Sequence, residues 1–516
     1  MSMRLGIDVG GTNTDAVLMD AQDRVVAAAK AATTPDPLDG IGEAIDRVLA
    51  QAPGSASAVA HAMLGTTHCT NAILQRQGLG RVGTLRLAGP ATDAVPPLAE
   101  WPEDLRAAVD GGTAIVRGGI DISGRPYAEI DEDEIAAVAE SWRDAVTAVA
   151  VSGVFSPIDP SQEERAASIV ERVLGLPVTM AHQVGTLGLL ERENAAVLNA
   201  ALNTTVTAMI DGFGRVLAER GIDAVPFFGQ NDGTLMNVNF ARAFPVLTIG
   251  CGPTNSLRGA AHLTGITDGL VVDIGGTSTD IGALVGGMVR QSAHAVDIGG
   301  IRTNFRMPDT LSIGLGGGSR VRLSDDGASV GPDSVGYALR QEALCFGGGT
   351  LTATDIAAAR DPELIAEGRP VSLEPAVREA AEQEIARLLA DAVDRMKTSA
   401  QDVPVVLVGG GSAIVGGTIA GTTDTARPDH FAVANAIGAA LADVAAEAEL
   451  IYRPGATPRA EALEEVSRLA SERATAAGAD PETIAIASVH EVPVAYASDG
   501  ATVLTARAAG RIRLQP

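Results

Sequence analysis

The sequence predicts an α/β chain of two related halves that close on a shared cleft, followed by a small α+β appendage. Three observations predict it. The stretch IDVGGTNTDAVL at Ile7–Leu18 returns as VDIGGTSTDIGA at Val272–Ala283, with both Asp, both Gly and both Thr in the same places. Around each copy, apolar runs of strand character alternate with segments of helical period. The chain has 516 residues, more than one hydrophobic core usually supports. The expected division is an N-terminal half at 1–190, a connecting helix and linker at 191–243, a second half at 244–450 and the appendage at 451–516.

Taken in order, Arg4–Val9 and Thr14–Met19 alternate as strands around Gly10-Gly11, and a capped helix follows from Pro37 to Ala50. A strand-rich region continues to about Tyr127. DEDEIAAVAESWRDAV, from Asp131, has acids in its first turn and apolar residues at helical spacing, and Thr147–Phe155 reads as a buried strand. A long helix from Glu191 to Gly221 is expected to connect the halves. In the second half, Leu270–Leu284 repeats strand, turn and strand, and Glu379–Lys397 is amphipathic through Ile385, Leu388, Leu389, Val393 and Met396. Pro404–Val408 is a short apolar strand running into Gly409, and FAVANAIGAALADVAAEAE from Phe431 is expected as the last helix of the main body. The appendage reads as one helix and a hairpin that turns at Asp499-Gly500.

Composition narrows the function. Net charge is −26, which argues against nucleic-acid or anionic-membrane surfaces, because those displace counterions with clustered basic groups. Only Lys30 and Lys397 are lysines, read as lying in solvated helical or linker contexts, and no GxxxxGK[ST] loop occurs. Cys69, Cys251 and Cys345 are widely spaced without a CxxC pair, which suits buried, unreactive thiols in a reducing compartment. With no apolar run long enough to span a bilayer and no signal peptide before the first strand, the expected location is the cytoplasm. The seven histidines are scattered, and neither HExxH nor GxSxG is present. His68 and Cys69 are read as packing residues rather than zinc ligands.

The doubled turn carries the chemistry. Backbone amides at a Gly-Gly turn approach a phosphate closely because no Cβ intervenes, and threonine hydroxyls add donors. The expected nucleotide-binding residues are Gly10, Gly11, Thr12, Asn13 and Thr14 in one turn and Gly275, Gly276, Thr277, Ser278 and Thr279 in the other. A carboxylate cannot touch phosphate without a cation between them, so Asp8 and Asp273 are expected to ligate Mg²⁺, directly or through water. Asp15 and Asp280 either brace the threonines, act on an attacking group, or are plain turn carboxylates. Two such turns facing each other would grip one polyphosphate, one from each half, and Gly409, Gly410, Gly411 and Ser412 would let the adenosine lie against backbone.

This constellation resembles the superfamily of actin, sugar kinases and Hsp70, in which two ribonuclease-H-like halves clamp ATP in an interdomain cleft. Within it the chain is similar to the hydantoinase A and 5-oxoprolinase family. The matching blocks are GTTHCTNAILQRQG from Gly65, GGIDISGRPYAEID from Gly118, AVAVSGVFSPIDP from Ala148, LLERENAAVLNAAL from Leu189, FGQNDGTLM from Phe228, SIGLGGGSR from Ser312 and a stretch from Gly331, together covering roughly residues 3 to 445. The resemblance implies the cofactors ATP and Mg²⁺. It places Thr66, Thr67, Asn71, Gly316, Gly317 and Gly318 on the substrate side, with Arg320 available for a polar ring or carboxylate. It implies an ATP-dependent hydrolase subunit that opens a small cyclic amide (a hydantoin, 5-oxoproline or related lactam) with a separate B-type or other partner subunit, and leaves a homo-oligomer open. The alternatives are an ATP-dependent carboxylase subunit of acetone carboxylase type and an ATP-switching activator protein. Phe155 stands where family members often carry His, and the family's Pro-Gly-Pro-Ala-Cys-Tyr run is loosened to ALRQEALCFGGG, so the ring preference is open.

Overall fold

In the computed structural model, which describes residues 2–34, 36–292, 296–324, 327–365, 368–495, 497 and 499–513, each copy of the repeated stretch is a β-hairpin. The first pairs Met3–Val9 with Asn13–Met19, and the second pairs Gly269–Ile274 with Thr279–Val285. Each hairpin adds a third antiparallel strand, Val25–Ala32 or Met288–Val289. Each opening strand also pairs in parallel with a later one: Val59–Thr66, then Val225–Gly229, in the first half, and Val403–Val408, then Thr422–Ala426, in the second. The spatial order is therefore third, second, first, fourth, fifth in both sheets. That is the ribonuclease-H-like order, present twice, and it makes the molecule an actin-like ATPase fold. Near-continuous apolar residues follow from it, because the opening strands are covered on both faces: Leu5, Ile7, Val271 and Val272 are fully buried.

Beyond Val225–Gly229 the first sheet continues through Leu235–Asn237, Val444–Tyr452, Thr502–Gly510 and Ala485–Pro493 to nine strands. The appendage is thus a helix, Arg459–Ala477, and a hairpin that lengthen the first sheet at its edge, and Ala462, Val466, Ala470 and Ala474 bury the helix against the first core. One expectation is corrected here. The helix expected from Phe431 to Glu449 ends at Leu441, and Val444–Tyr452 is a strand that matches residues 502–510 over nine register positions. The period of two set by Ala446 and Ala448 (buried) against Glu447 and Glu449 outweighs the helix propensity of the alanines. Within the segment expected as connecting helix and linker, 191–243, the helix Leu189–Glu219 runs through the first core with Val197, Leu198, Leu202 and Phe213 buried, and two strands of the first sheet follow it.

A four-stranded parallel sheet of Val82–Gly89, Asp110–Arg117, Ala148–Gly153 and Val178–Met180 is inserted in the first half. It is fastened to the long helix by Arg86, whose Nε and Nη2 donate to the two carboxylate oxygens of Glu193 at 2.7 and 2.6 Å with both side chains buried. Between the two main sheets lie two helices, Cys251–Thr264 and Ala434–Leu441. They cross on glycine: a Cβ on Gly259 would sit 1.8 Å from Ala434 O, and one on Gly438 1.9 Å from Asn255 O. The helix Ala434–Leu441 lies against the first hairpin at Gly6, and Leu257 of the other lies against the second hairpin at Gly282. Among the described residues no helix is long and apolar enough to cross a membrane.

Candidate active site

Both hairpins close with the same bond. Gly10 N–H donates to Asn13 O at 3.0 Å, and Gly275 N–H donates to Ser278 O at 2.9 Å. In both, the register sets two carboxylates opposite each other across the strands, Asp8 with Asp15 and Asp273 with Asp280. Like charges placed directly across a strand pair destabilise it, and here the same cost recurs at the same register in both halves. Among the described residues, no protein group accepts from the N–H of Gly11, Thr12, Gly276 or Thr277. The two turns meet: a Cβ on Gly276 would lie 2.8 Å from Thr12 Oγ1. The Gly409–Ser412 segment rests on the second turn. Gly409, at φ +80°, would bring a Cβ within 2.2 Å of Asp273 Oδ1, and Gly411 would bring one within 2.4 Å of Gly275 O. Ser412 Oγ is buried without a partner.

The crossing helices hold the carboxylates. Asn255 Nδ2 donates to Asp8 Oδ1 at 3.0 Å, Asn435 Nδ2 donates to Asp8 Oδ2 at 2.9 Å, and Ser256 Oγ donates to Asp273 Oδ2 at 2.5 Å. Burial pushes Asp8 up to about 7, with Asp15 and Asp273 adding repulsion against the two asparagine bonds. Burial pushes Asp273 up to about 6, with Asp280 and Asp15 adding to it and Ser256 and Lys30 opposing it. Asp280 is also raised by burial, against a hydrogen bond from Ser312. Asp15 is ion-paired to Lys30, 2.5 Å from Oδ1 to Nζ. The acids gather negative charge around the two turns, although among the described residues no three of them come together as a group that could by itself hold a metal ion. A Cβ on Gly65 would fall 2.4 Å from Asp8 Oδ1, so the block beginning at Gly65 needs glycine to admit that carboxylate.

Residues 4–174 match the family model described as the hydantoinase/oxoprolinase N-terminal region, and residues 192–361 match the model described as hydantoinase/oxoprolinase. The chain belongs to the hydantoinase/oxoprolinase family. Among curated proteins, it is 31% identical over 383 residues to the caprolactamase subunit alpha of Pseudomonas jessenii, covering 68% of this chain and 53% of that protein. It is 29% identical over 393 residues to the acetophenone carboxylase gamma subunit of Aromatoleum aromaticum, covering 68% and 52%. The chain thus spans about half the length of these curated relatives. In fold it is similar to the crystal structure of the ATP-dependent caprolactamase from Pseudomonas jessenii, with a TM-score of 0.74 and 21% identity over 99% of this chain and 88% of that one. It is also similar to nucleotide-free acetone carboxylase, with a TM-score of 0.68 and 20% identity over 99% and 88%.

In this hydantoinase/oxoprolinase chain the substrate-side expectations divide. Thr67 and Asn71 lie at the end of the first hairpin's opening strand: Thr67 Oγ1 donates to Val9 O at 3.3 Å, and Asn71 Nδ2 donates to Thr67 Oγ1 at 3.5 Å. Thr66 is buried, and its backbone N–H and C=O both meet Cys251 Sγ at 3.3 Å. The loop of Gly316, Gly317 and Gly318 has a different task from the one expected. Gly317 and Gly318 N–H donate to Gly275 O and Gly276 O at 3.0 and 2.7 Å, and Gly316 N–H donates to Ser319 Oγ at 2.9 Å. Its amides are spent bracing the second turn from behind. Arg320 is likewise engaged, donating to Glu342 at 2.9 Å rather than facing the cleft unpaired. Cys69, Cys251 and Cys345 are buried, and burial pushes their thiols up to about 11, 12 and 12, in keeping with unreactive packing. Sequence reasoning missed Asn255, Ser256, Asn435 and Lys30. The glycines that let them approach, Gly65, Gly259 and Gly438, were the available signal.

Proposed function

We propose that this chain is the ATP-hydrolysing subunit of a cytoplasmic enzyme that opens a small cyclic amide. The observation that carries the reading is the pair of facing hairpins, each offering uncommitted backbone N–H groups beside two carboxylates at one register. The residues fit a Mg²⁺ nucleotide. Gly11 and Gly410 lie open where a Cβ would point, Ser412 Oγ and Asn255 Oδ1 are buried polar atoms without partners, and the acids are oxygen donors of the kind Mg²⁺ prefers. Asp8 and Asp273 would hold Mg²⁺, directly or through water, and the ion would supply positive charge at the phosphate oxygens.

The chain's own groups do the positioning. The Gly11, Thr12, Gly276 and Thr277 amides would receive the phosphates from both halves, and Asn255, Asn435 and Ser256 fix the directions of the two buried carboxylates. An amide carbonyl is a poor electrophile. In the proposed reaction its oxygen attacks the γ-phosphorus and ADP leaves; water then adds at the carbon, the C–N bond breaks as the ring nitrogen takes a proton to leave an acyl phosphate and an amine, and a second water displaces phosphate to give the carboxylate. Thr67 and Asn71 would meet the polar edge of the ring. Support for a ring-opening substrate comes from the caprolactamase relative, and support for a separate partner comes from the fact that both curated relatives are named as subunits.

A second reading, phosphoryl activation in a carboxylation, is favoured by the acetophenone carboxylase relative and the acetone carboxylase fold match. Calorimetry with ATP, with and without Mg²⁺, tests the shared part: absence of metal-dependent binding refutes it. A screen of lactams, hydantoins and ketones for stimulated ADP release, with the partner subunit present and bicarbonate varied, divides the two readings. Stimulation by a cyclic amide without bicarbonate supports hydrolysis; stimulation only by a ketone with bicarbonate supports carboxylation.

A further inference from the structure

The segments that line the cleft, DVGGTNTD, DIGGTSTD and GGGS, contain four aspartates and no lysine or arginine. Yet a triphosphate is itself strongly anionic. Whatever cation the protein contributes must come from outside these segments; among the described residues Arg427 and Arg360 reach the end of the GGGS segment through the carbonyls of Ser412 and Ala413, whereas Lys30 is paired with one of the hairpin aspartates themselves. Lys30, on the third strand of the first half, reaches the cleft with its Nζ 2.5 Å from Asp15 Oδ1 and donates to Ala432 O at 2.5 Å. Its Cε lies 3.8 Å from where a Cβ on Gly410 would be. Ala432 follows Phe431, whose carbonyl accepts the N–H of Gly409, so the ammonium joins the first hairpin to the residue next to the one that holds Gly409, and its stem passes Gly410.

We propose that Lys30 is the phosphate-contacting cation of the cleft. The assignment rests on the nucleotide reading given above and deepens it. A lysine ammonium carries three donors. One is given to Ala432 O, the ammonium is ion-paired with Asp15 without a directed hydrogen bond to its Oδ1, and donor capacity is left for a phosphate oxygen delivered between the two turns. The side chain is one third exposed, so solvent and small reagents reach it, and the neighbouring Asp15 keeps it aimed along the hairpin. Lysine suits this place as a compact point charge on a flexible stem, whereas a planar guanidinium would have to fit flat between the turns. The same contacts explain the otherwise costly carboxylate opposite Asp8: Asp15 orients the ammonium.

The chain has two lysines, which makes the test specific. Lys397 is nearly buried, with Nζ donating to Gly421 O at 3.2 Å, and serves as an internal control. The full-length wild-type protein is acetylated with a trace of acetic anhydride, with and without Mg²⁺ and ADP or ATP, and the Lys30 and Lys397 peptides are read by mass spectrometry. Nucleotide affinity is measured by calorimetry for wild type and for Lys30→Met, after confirming that the variant melts cooperatively. The expected result is at least about tenfold protection of Lys30 by nucleotide with Lys397 unchanged, and a loss of affinity on the order of tenfold in Lys30→Met, as for one charge-assisted hydrogen bond. If wild type binds nucleotide and Lys30 labelling is unchanged, the assignment fails while the nucleotide site stands. If Lys30 is protected but Lys30→Met binds as tightly as wild type, the residue is only shielded by closure, and the assignment fails again. If wild type binds no nucleotide, the site reading and the assignment fall together.

Discussion

Replacing Asp8 by asparagine is expected to make the ligand-free protein more stable at neutral and alkaline pH, and inactive. Asp8 is held at about 7 in the folded chain against an ordinary value of 3.8, so at about 1.36 kcal/mol per unit its ionised form costs the fold about 4 kcal/mol. The direction follows from proton binding: between pH 4 and 7 the folded state keeps a proton that the unfolded state has released, so stability falls as pH rises, and the full cost is reached above pH 7. Asparagine does not titrate and escapes that cost. It does lose something, because Asn255 and Asn435 both donate to Asp8, and the new amide offers a donor to one of them, at about 1–2 kcal/mol. Asp8→Asn should therefore exceed wild type by about 2 kcal/mol at pH 8, and the gap should shrink by about 2 kcal/mol at pH 5.5, which still lies above the sequence pI of 4.6. Denaturant unfolding of metal-free and nucleotide-free protein at the two pH values measures it. Turnover should fall on the order of 100-fold or more. A stability gap that does not change with pH, or a variant weaker than wild type at both, would refute the reasoning.

Three further outcomes are expected. Gly438→Ala should destabilise by about 1–3 kcal/mol in thermal melts, because the methyl group would meet Asn255 O at 1.9 Å and must push the crossing helices apart. Gly276→Ala should leave the melting temperature unchanged but lower ATP affinity on the order of tenfold by calorimetry, since Thr12, 2.8 Å from the new methyl, must turn away from the second turn. The three thiols should resist iodoacetamide in the native protein at pH 8 and react only after unfolding, as burial holds them up near 11 to 12.

What the sequence made legible was the repeated turn, because its glycines, threonines and aspartates are local: the residues that form each hairpin lie within about a dozen positions of one another. The strands around it were legible as apolar runs, but their order came only through the resemblance to actin-like folds. The side chains that hold the aspartates were not legible, since Asn255 and Asp8 are separated by 247 positions and Asn435 and Asp8 by 427. Nothing local distinguishes an asparagine in an alanine-rich helix from a solvated one. Lys30 was read as solvated for the same reason, its partners Asp15 and Ala432 being joined only by the folding of both halves. Val444–Tyr452 was misread because alanine satisfies either period, and only the partner strand 502–510 decides between them.

The crossing of the two central helices has a mechanical consequence. Elsewhere, packed helices interlock through side chains, and turning one against the other means lifting ridges out of grooves. At Gly259 and Gly438 there are no ridges, because backbone bears directly on backbone. The crossing is thus a main-chain contact at two points, where any side chain would force the helices apart. Asn255 lies one helical turn before Gly259, and Asn435 three residues before Gly438, so the two amides gripping Asp8 belong to different helices and lie close to that crossing. The direction of the Asp8 carboxylate is therefore tied to the angle at which the two helices cross.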